Sequence, residues 1–579
     1  MTETIQRKLS DSAFARWTAL ILIASTMFFG YTFVDVLSPL QYMLETTRGW
    51  SPTVFGLYGG SEFILNVCGF LLLAGIILDK MGVRFTGILS ASLMVVGAGI
   101  KLYGISDYFA GGGFGHAFLS SFLQDIPASA KLACLGFMVF GCGTEMAGIT
   151  VSKAIVKWFT GKELALAMGL EMAIARLGVF AVFSLSPWIA DLGTPSIVRP
   201  VAVVGILLCI GLLTFITYAF MDRKLDRQIG AMSTGEPEEQ FKVSDLGKLF
   251  TSRTFLMVAI LCVLYYSAIF PFQKFATGML ETNLGISTQQ ASDIFRWFPI
   301  GAMLLTPFLG AFLDHKGKGA SMLMLGAVLM FVCHMIFALV PLTPVIAYGA
   351  IVILGISFSL VPAALWPSVP KLVANRYLGS AYSVIFWIQN IGLMAFPIII
   401  GFSLNISNPG VSENLQGLQN RIDVLTEDYK AYTTAYDIYN AVECEAVLNP
   451  AATDSLTFVN HPDAEPQFGE IIVTLDKVFA HIGQLKNPEK RAEISNGLLA
   501  ELNKIDLSRA PEELRAPLDN IKREMEQIRA YDRDTVYNYR QPMLIFACLG
   551  VLAFLLAFWL KREDARKHYG LELPNIETK

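Results

Sequence analysis

Long apolar stretches joined by short polar connections make up most of the chain. Runs long enough to cross a bilayer, for which about 20 residues suffice, begin near residues 17, 53, 84, 131, 163 and 200. Six more begin near residues 254, 290, 320, 345, 378 and 542. The pattern predicts an all-α membrane protein with twelve transmembrane helices in two six-helix halves.

A polar segment of more than a hundred residues interrupts the pattern between the last two apolar runs. We predict six parts, in chain order: an N-terminal six-helix half (1–221), a cytoplasmic linker (222–252), helices 7–11 of the C-terminal half (253–404), a helical insertion between helices 11 and 12 (405–541), helix 12 (542–561) and a cytoplasmic tail (562–579).

The insertion has a periodicity of its own. Apolar and tyrosine positions separated by steps of three and four predict a coiled-coil seam, namely Leu415, Leu418, Ile422, Leu425, Tyr429, Tyr432, Tyr436 and Tyr439, answered by Leu518, Ile521, Met525 and Ile528. We therefore expect two antiparallel helices that prolong helices 11 and 12, joined by a smaller helical cap at 441–513. The sequence Asn408-Pro409-Gly410 predicts a break before the first of them.

Lysine and arginine concentrate in alternate connections, for example at 80–84, 157–162 and 316–318. Because such residues favour the cytoplasmic side of a membrane, both termini are expected in the cytoplasm and the insertion outside it.

Composition narrows the class of protein. The chain is 54% hydrophobic and 16% charged, with a net charge of −4 and a mean hydropathy of +0.52, which is typical of a membrane protein. No basic patch with interleaved aromatic residues predicts nucleic-acid binding. No metal-ligand spacing, phosphate loop or paired nucleophile and base is present, so we predict no cofactor, no metal and no enzymatic activity.

An internal repeat relates the two halves. GIILDKMGVR (75–84) and GAFLDHKGKG (310–319) both have the form G-x3-D-x2-G and follow the second apolar run of their half. Such a loop, found twice in a chain of this plan, resembles the signature of the major facilitator superfamily. We expect Asp79, Arg84, Asp314 and Lys318 to act in gating rather than to touch substrate.

Two charges interrupt the apolar runs of helices four and five. Glu145 lies twelve residues before Lys157, and Arg176 lies thirteen after Glu163, so at 1.5 Å per residue both lie roughly 18 to 20 Å from the cytoplasmic end. Ionisable groups at that depth are costly and point to function. The two residues either hold a ligand that carries both signs of charge or form a structural ion pair between the helices.

The other candidate residues are less specific. Asp35, Glu62 and Lys274 form an outer gate or cavity wall, or a fixed interhelical contact, and Arg296 reaches the cavity or snorkels to the interface. Trp366 lies beside prolines in helix ten, and the amides of helix eleven bind substrate or tie helices together. The candidate substrate-binding set is Glu145, Arg176, Asp35, Glu62, Lys274, Arg296, Trp366, Gln389 and Asn390.

Four stretches carry a closer resemblance: YTFVDVLSPLQ (31–41), GTEMAG with WFTGKELALAMGLEMAIARLG (143–178), GISFSLVPAALWPSVP (355–370) and LGSAYSVIFWIQNIGL (378–393). They resemble the branch of the superfamily that contains the lysosomal dipeptide uniporters. The resemblance implies uniport of dipeptides, with Glu145 and Arg176 at the binding positions. Neither terminal tail contains an acidic dileucine signal, which favours a bacterial inner membrane over a lysosomal one.

We therefore expect a secondary transporter that moves small zwitterionic peptides by alternating access. One rival hypothesis is a carrier of organic or inorganic anions, with Arg176 as the binding residue and Glu145 as a proton site. The other is a membrane scaffold or receptor whose insertion binds a protein partner. The expected partners are the small-molecule substrate and the lipid bilayer, with no nucleic acid.

Overall fold

The computed structural model describes residues 9–159, 162–230, 246–373, 378–448, 465–480, 482–504 and 512–574. Within these ranges the regular structure is helical. In chain order the helices are α1 (Ala13–Val34), α2 (Gln41–Arg48), α3 (Pro52–Leu65), α4 (Leu71–Ile105), α5 (Asp107–Ala110), α6 (His116–Ser120), α7 (Ala128–Phe159), α8 (Leu164–Asp191), α9 (Val198–Gly230), α10 (Leu246–Thr251), α11 (Arg253–Leu284), α12 (Thr288–Phe295), α13 (Trp297–Lys316), α14 (Gly319–Leu339), α15 (Pro344–Leu372), α16 (Leu378–Ser407), α17 (Val411–Leu448), α18 (Glu465–Phe479), α19 (Pro488–Leu502), α20 (Glu512–Arg529) and α21 (Arg540–Lys567).

Eleven helical stretches of the described residues are long and apolar enough to cross a membrane. The longest, Pro52–Ile105, has 54 residues and joins α3, a π-helical turn (Asn66–Phe70) and α4. Its backbone leaves the helical conformation at Gly69, where φ is +115°, and at Gly82, where φ is +76°. The two predicted helices that begin near residues 53 and 84 both fall within this stretch.

Local signals in the sequence explain where several helices begin. Ser51 caps α3 by accepting a hydrogen bond from the backbone N–H of Val54, and Pro52 occupies the first turn, where its missing N–H costs nothing. The same combination of Thr343 and Pro344 begins α15. These caps satisfy backbone donors that the helix itself leaves free.

The chain forms two compact units, and the first contains all the candidate membrane helices. It consists of residues 1–284, 288–407 and 539–579. We call α1–α9 the first half of this unit, and α11–α16 with α21 the second half. Residues 231–245, which are much of the predicted linker, lie outside the described ranges.

Glycines allow close helix packing both within a half and between the halves. A Cβ atom on Gly97 of α4 would lie 2.4 Å from the backbone nitrogen of Phe140 in α7. A Cβ on Gly56 of α3 would lie 2.3 Å from the carbonyl oxygen of Pro397 in α16. Because these facing atoms belong to the backbone, a larger side chain at either glycine would push the helices apart.

The two halves meet at one end of the bundle, which we call the Asp35 end. There the Gln273 side-chain amide donates to Asp35 across 2.5 Å, and the Ser292 hydroxyl donates to the backbone oxygen of Phe183 across 2.5 Å. The rings of Phe55 and Phe275 meet edge to face with their centres 5.4 Å apart. Each of these contacts joins the first half to the second.

The second unit consists of residues 285–287 and 408–538. Its core contains side chains from α17, α18, α19 and α20, among them Leu418, Leu475, Leu498 and Leu518, all almost fully buried. The predicted seam residues of α17 and α20 thus pack into a core that four helices share, rather than into a two-stranded coiled coil. The side chain of Tyr439 lies outside the described part.

The ends of the second unit test the predicted continuity with the membrane helices. α16 ends at Ser407 and α17 begins at Val411, so the predicted break at residues 408–410 is confirmed. α20 ends at Arg529, and residues 530–539 form no helix before α21 begins. The prediction that α20 continues into the last membrane helix is therefore wrong.

Candidate functional site

Glu145 lies on α7, where its carboxyl faces a residue of the other half. Its side chain is partly buried, and the amide of Asn390 on α16 lies beside it. Neither polar atom of that amide makes a hydrogen bond of standard geometry with another described residue. An acid and an amide from opposite halves therefore lie together with unused hydrogen-bonding capacity, which a polar ligand can satisfy.

Arg176 lies on α8, and aromatic rings surround its guanidinium. The ring centres of Tyr31, Phe270 and Phe358 lie 5.9, 5.4 and 5.0 Å from its central carbon. Tyr31 belongs to the first half, whereas Phe270 and Phe358 belong to the second. Such rings favour a cation electrostatically, but they leave the hydrogen-bond donors of the guanidinium free for an anionic group.

Glu145 and Arg176 do not pair with each other. The ion pairs among the described residues join neither side chain to the other within 4.0 Å. Glu171, one and a half turns before Arg176 on α8, contributes the nearby negative charge instead. We did not single out Glu171 from the sequence, although it stands in the same apolar run as Arg176 and could have been found by the same argument.

Asp35, Glu62 and Lys274 come together in one buried network. The Lys274 ammonium lies 3.7 Å from a carboxylate oxygen of Asp35 and 3.7 Å from one of Glu62. All three residues are at most 5% exposed. Asp35 also accepts from the Ser38 hydroxyl across 2.9 Å. The network joins α3 and the residue after α1 to α11, and hence the first half to the second.

Lys101 of α4 is a fourth charge at this site that sequence analysis missed. It is fully buried, and its ammonium lies 4.2, 5.1 and 4.7 Å from the ring centres of Phe33, Tyr58 and Phe137. In the sequence it stands near the end of an apolar run, where a lysine ordinarily reaches the interface. Only the packing of α1, α3 and α7 around it reveals the aromatic cage.

The remaining substrate-binding candidates make polar contacts within the second half, and Arg296 also lies 5.8 Å from the ring centre of Phe180 in the first half. Arg296 pairs with Asp293, one turn earlier, across 2.8 Å. Trp366 donates to the Tyr266 hydroxyl across 3.3 Å, and Gln389 accepts from the thiol of Cys262 across 3.2 Å. Of the two adjacent amides on α16, Asn390 faces Glu145, whereas Gln389 contacts Cys262 of α11.

The first predicted gating loop is tied to its own half. Asp79 pairs with Lys153 of α7 across 2.8 Å, and Arg84 pairs with Asp226 of α9 across 3.1 Å. Gly82, the last glycine of the motif, has a φ of +76° and a ψ of 171°, a conformation that is essentially restricted to glycine. The motif therefore requires glycine at this position.

The second gating loop repeats the same feature. Gly317, at the position equivalent to Gly82, has a φ of +70°. The backbone N–H of Lys318 donates to the carbonyl of Glu572 across 2.9 Å, and the Glu572 carboxylate accepts from the N–H of Ser321 across 2.8 Å. The tail after α21 thus satisfies backbone donors at the start of α14. The Asp314 side chain lies outside the described part.

Comparison with known proteins assigns the family. The profile of the Major Facilitator Superfamily matches residues 20–397. The chain belongs to the major facilitator superfamily. The predicted superfamily and all-helical membrane fold are confirmed, and this member of the superfamily is a multi-pass transporter that lies in the lipid bilayer, not an enzyme.

Named relatives and solved structures agree with the family. The chain is 29% identical over 403 residues to the lysosomal dipeptide transporter MFSD1 of Bos taurus, which covers 67% of this chain and 80% of the relative. The transporter of the same name from Mus musculus is 30% identical over 342 residues, covering 58% and 68%.

Among solved structures, a bacterial homologue of the human lysosomal transporter Spinster, inward-facing and unoccupied, matches with a TM-score of 0.56 and 12% identity, covering 98% of this chain and 99% of that one. The D-xylose-proton symporter matches with a TM-score of 0.52 and 14% identity, covering 70% and 95%. At such identities these structures show the fold alone.

Proposed function

We propose that this transporter moves dipeptides and other small zwitterionic peptides by alternating access, as a uniporter. The observation that carries the proposal is the separate placement of Glu145 and Arg176. Each faces side chains of the opposite half, Asn390 for Glu145 and Phe270 and Phe358 for Arg176. A ligand held between them would contact both halves, as substrate at the midplane of such a transporter does.

The charges of a dipeptide match the two side chains. Its ammonium group would pair with Glu145 and its carboxylate with Arg176, whose planar guanidinium suits a carboxylate. The Asn390 amide beside Glu145 would hydrogen-bond the peptide backbone. A purely structural role for the two charges explains less. A structural ion pair stabilises helices only while its partners are in contact, and Glu145 and Arg176 do not pair.

The buried network at the Asp35 end supports alternating access. Asp35 and Glu62 share Lys274 of the other half, so we propose that these three residues close this end rather than bind substrate. Opening the end requires the Lys274 ammonium to part from both carboxylates.

Uniport implies that dipeptide uptake into proteoliposomes is equally fast with and without an imposed proton gradient.

The decisive experiment measures dipeptide binding and uptake by purified protein after replacement of the two charges. Glu145→Gln and Arg176→Gln each remove a charge-assisted contact of about 1.5 to 3 kcal/mol, or roughly ten- to a hundredfold in affinity. Glu427→Gln and Arg223→Gln, which change exposed charges, are the controls and should bind like the parent. A folded Glu145→Gln, Arg176→Gln double variant that binds and transports dipeptides normally would contradict the assignment.

The same assay separates the rival hypotheses. An anion carrier would accept N-acetylated dipeptides as readily as free ones, because Glu145 would not bind an ammonium group. A scaffold or receptor, whose protein partner would bind the segment 405–541, would transport no member of a panel of dipeptides, amino acids and organic anions.

We also propose twelve membrane crossings with both termini in the cytoplasm. The 54-residue stretch Pro52–Ile105 is roughly 80 Å long at 1.5 Å per residue, against a hydrocarbon core of about 30 Å. This length supports two membrane crossings, with the chain reversing direction near Gly82. The distribution of lysine and arginine supports an extracytoplasmic position for 405–541, and we propose a bacterial inner membrane as the location.

A further inference from the structure

The caged Lys101 ammonium lies beside the network at the Asp35 end. The ammonium of Lys274 lies 5.3 Å from the centre of the Phe137 ring, and that of Lys101 lies 4.7 Å from the same centre. The charges of Lys274, Glu62 and Asp35 all act on Lys101, and among them the like charge of Lys274 acts most strongly. Two lysine side-chain nitrogens and two carboxyl groups are therefore buried together, and both nitrogens lie near the same aromatic ring.

The two lysines belong to different halves. Lys101 lies on α4, in the same half as Asp35 and Glu62, whereas Lys274 lies on α11 in the other half. Gln273, which donates to Asp35 across 2.5 Å, also lies on α11. When the halves part at this end, Lys274 and Gln273 withdraw together, and the two carboxylates lose their partners from α11.

Carboxylates that lose their partners among apolar side chains are only partly hydrated and therefore costly, so a replacement for the lost cation favours opening. Lys101 can supply it. Among the described residues its side-chain nitrogen has no hydrogen-bond partner, so no hydrogen bond fixes it in the cage, and its four-carbon chain is flexible. Its backbone packs tightly against α7, where a Cβ on Gly136 would lie 2.5 Å from the backbone nitrogen of Lys101. Only the side chain is free to change place.

We propose that Lys101 is the reserve counter-ion of this network. When Lys274 withdraws, the Lys101 ammonium leaves the cage of Phe33, Tyr58 and Phe137 and pairs with Asp35 and Glu62. It thereby sets how readily the Asp35 end opens. Lys101 is a positioning residue that need not touch substrate, and the inference rests on the proposed alternation of the two halves.

The experiment measures opening directly, without substrate. Thr277 lies one turn from Lys274 on α11 and is fully buried, so Thr277→Cys in a cysteine-free background reports access at the Asp35 end to a small maleimide. Lys101→Met should slow labelling, because the open-state contact that it removes is worth roughly ten- to a hundredfold and outweighs the cage contact that it removes from the closed state. Lys131→Met should leave the rate unchanged, because that lysine donates instead to the backbone carbonyls of Leu119 and Phe122.

A second substitution tests whether Lys101 acts through charge. Adding Glu62→Gln to Lys101→Met removes one of the carboxylates that would be left unpaired, so labelling should return towards the parental rate. A folded Lys101→Met protein that labels like the parent overturns the inference. Slow labelling that Glu62→Gln does not relieve overturns it too, since Lys101 would then act only through packing.

A third variant keeps the test valid if Lys101→Met does not fold. Phe33 is the ring closest to the Lys101 ammonium, so Phe33→Leu weakens the cage of the closed state. It should speed labelling roughly two- to thirtyfold, the range of a cation–π contact. Phe140→Leu, at a neighbouring ring 4.8 Å away, is the control. Equal rates for the two variants would contradict the proposal.

The outcomes also separate this inference from the proposed function. Lys274→Met weakens the closed state and should speed labelling. If Thr277→Cys stays unlabelled both in the parent and in Lys274→Met, the halves do not part at this end. That result would refute both the proposed alternating access and the proposed role of Lys101. If labelling and dipeptide uptake are both normal in Lys101→Met, only the proposed role of Lys101 is refuted.

Discussion

The contact between α3 and α16 predicts that Gly56→Ala shifts the protein towards the state open at the Asp35 end. The added Cβ would lie 2.3 Å from the Pro397 carbonyl oxygen and 3.1 Å from the Cα atom of Gly401. Because these are backbone atoms, no change of rotamer relieves the overlap, and the helices must separate.

The size of the shift follows from the cost of overpacking, about 1 to 3 kcal/mol. That cost applies only while the two helices touch, whereas the helix propensity that alanine gains over glycine applies in both states and cancels. The equilibrium should therefore move towards opening by roughly 5- to 150-fold. Return to the closed state becomes unfavourable, so dipeptide uptake should slow.

The assay is the maleimide labelling rate of Thr277→Cys with and without Gly56→Ala, alongside dipeptide uptake. Gly99→Ala is the matched control, since a Cβ at Gly99 of α4 would meet nothing within 4 Å. Faster labelling in Gly56→Ala and unchanged labelling in Gly99→Ala are the expected results. Equal labelling rates in two folded variants would show that the α3–α16 contact does not depend on the state of the transporter, and would refute the reasoning.

Two further predictions concern the second unit. Arg491 is buried there and donates to the carbonyls of Leu485 and Tyr531 across 2.9 and 2.7 Å and to the Thr535 hydroxyl across 2.7 Å. Arg491→Lys should therefore destabilise this unit by about 2 to 3 kcal/mol and speed its limited proteolysis in the full-length protein. Arg529→Lys, at an exposed position, is the control, and equal proteolysis of the two variants would contradict the prediction. A cysteine in place of Glu470 should react with an impermeant reagent from outside intact cells; reaction only from the cytoplasmic side would reverse the proposed topology.

The sequence alone predicted the features that depend on neighbouring residues. The apolar runs, the repeated G-x3-D-x2-G loop and the break at residues 408–410 are local patterns, and each predicts its structure because helix periodicity and turn chemistry act over a few residues. The depth of Glu145 and Arg176 in the membrane also follows from counting along single helices, and it stays a prediction.

Only the tertiary structure decided which side chains meet. Asn390 faces Glu145 although 245 positions separate them in the chain, and Phe270 and Phe358 approach Arg176 from the other half. The aromatic cage around Lys101 needs rings from α1, α3 and α7 at once. Such contacts depend on how glycine-lined helices approach one another, and no periodicity within a single helix records that approach.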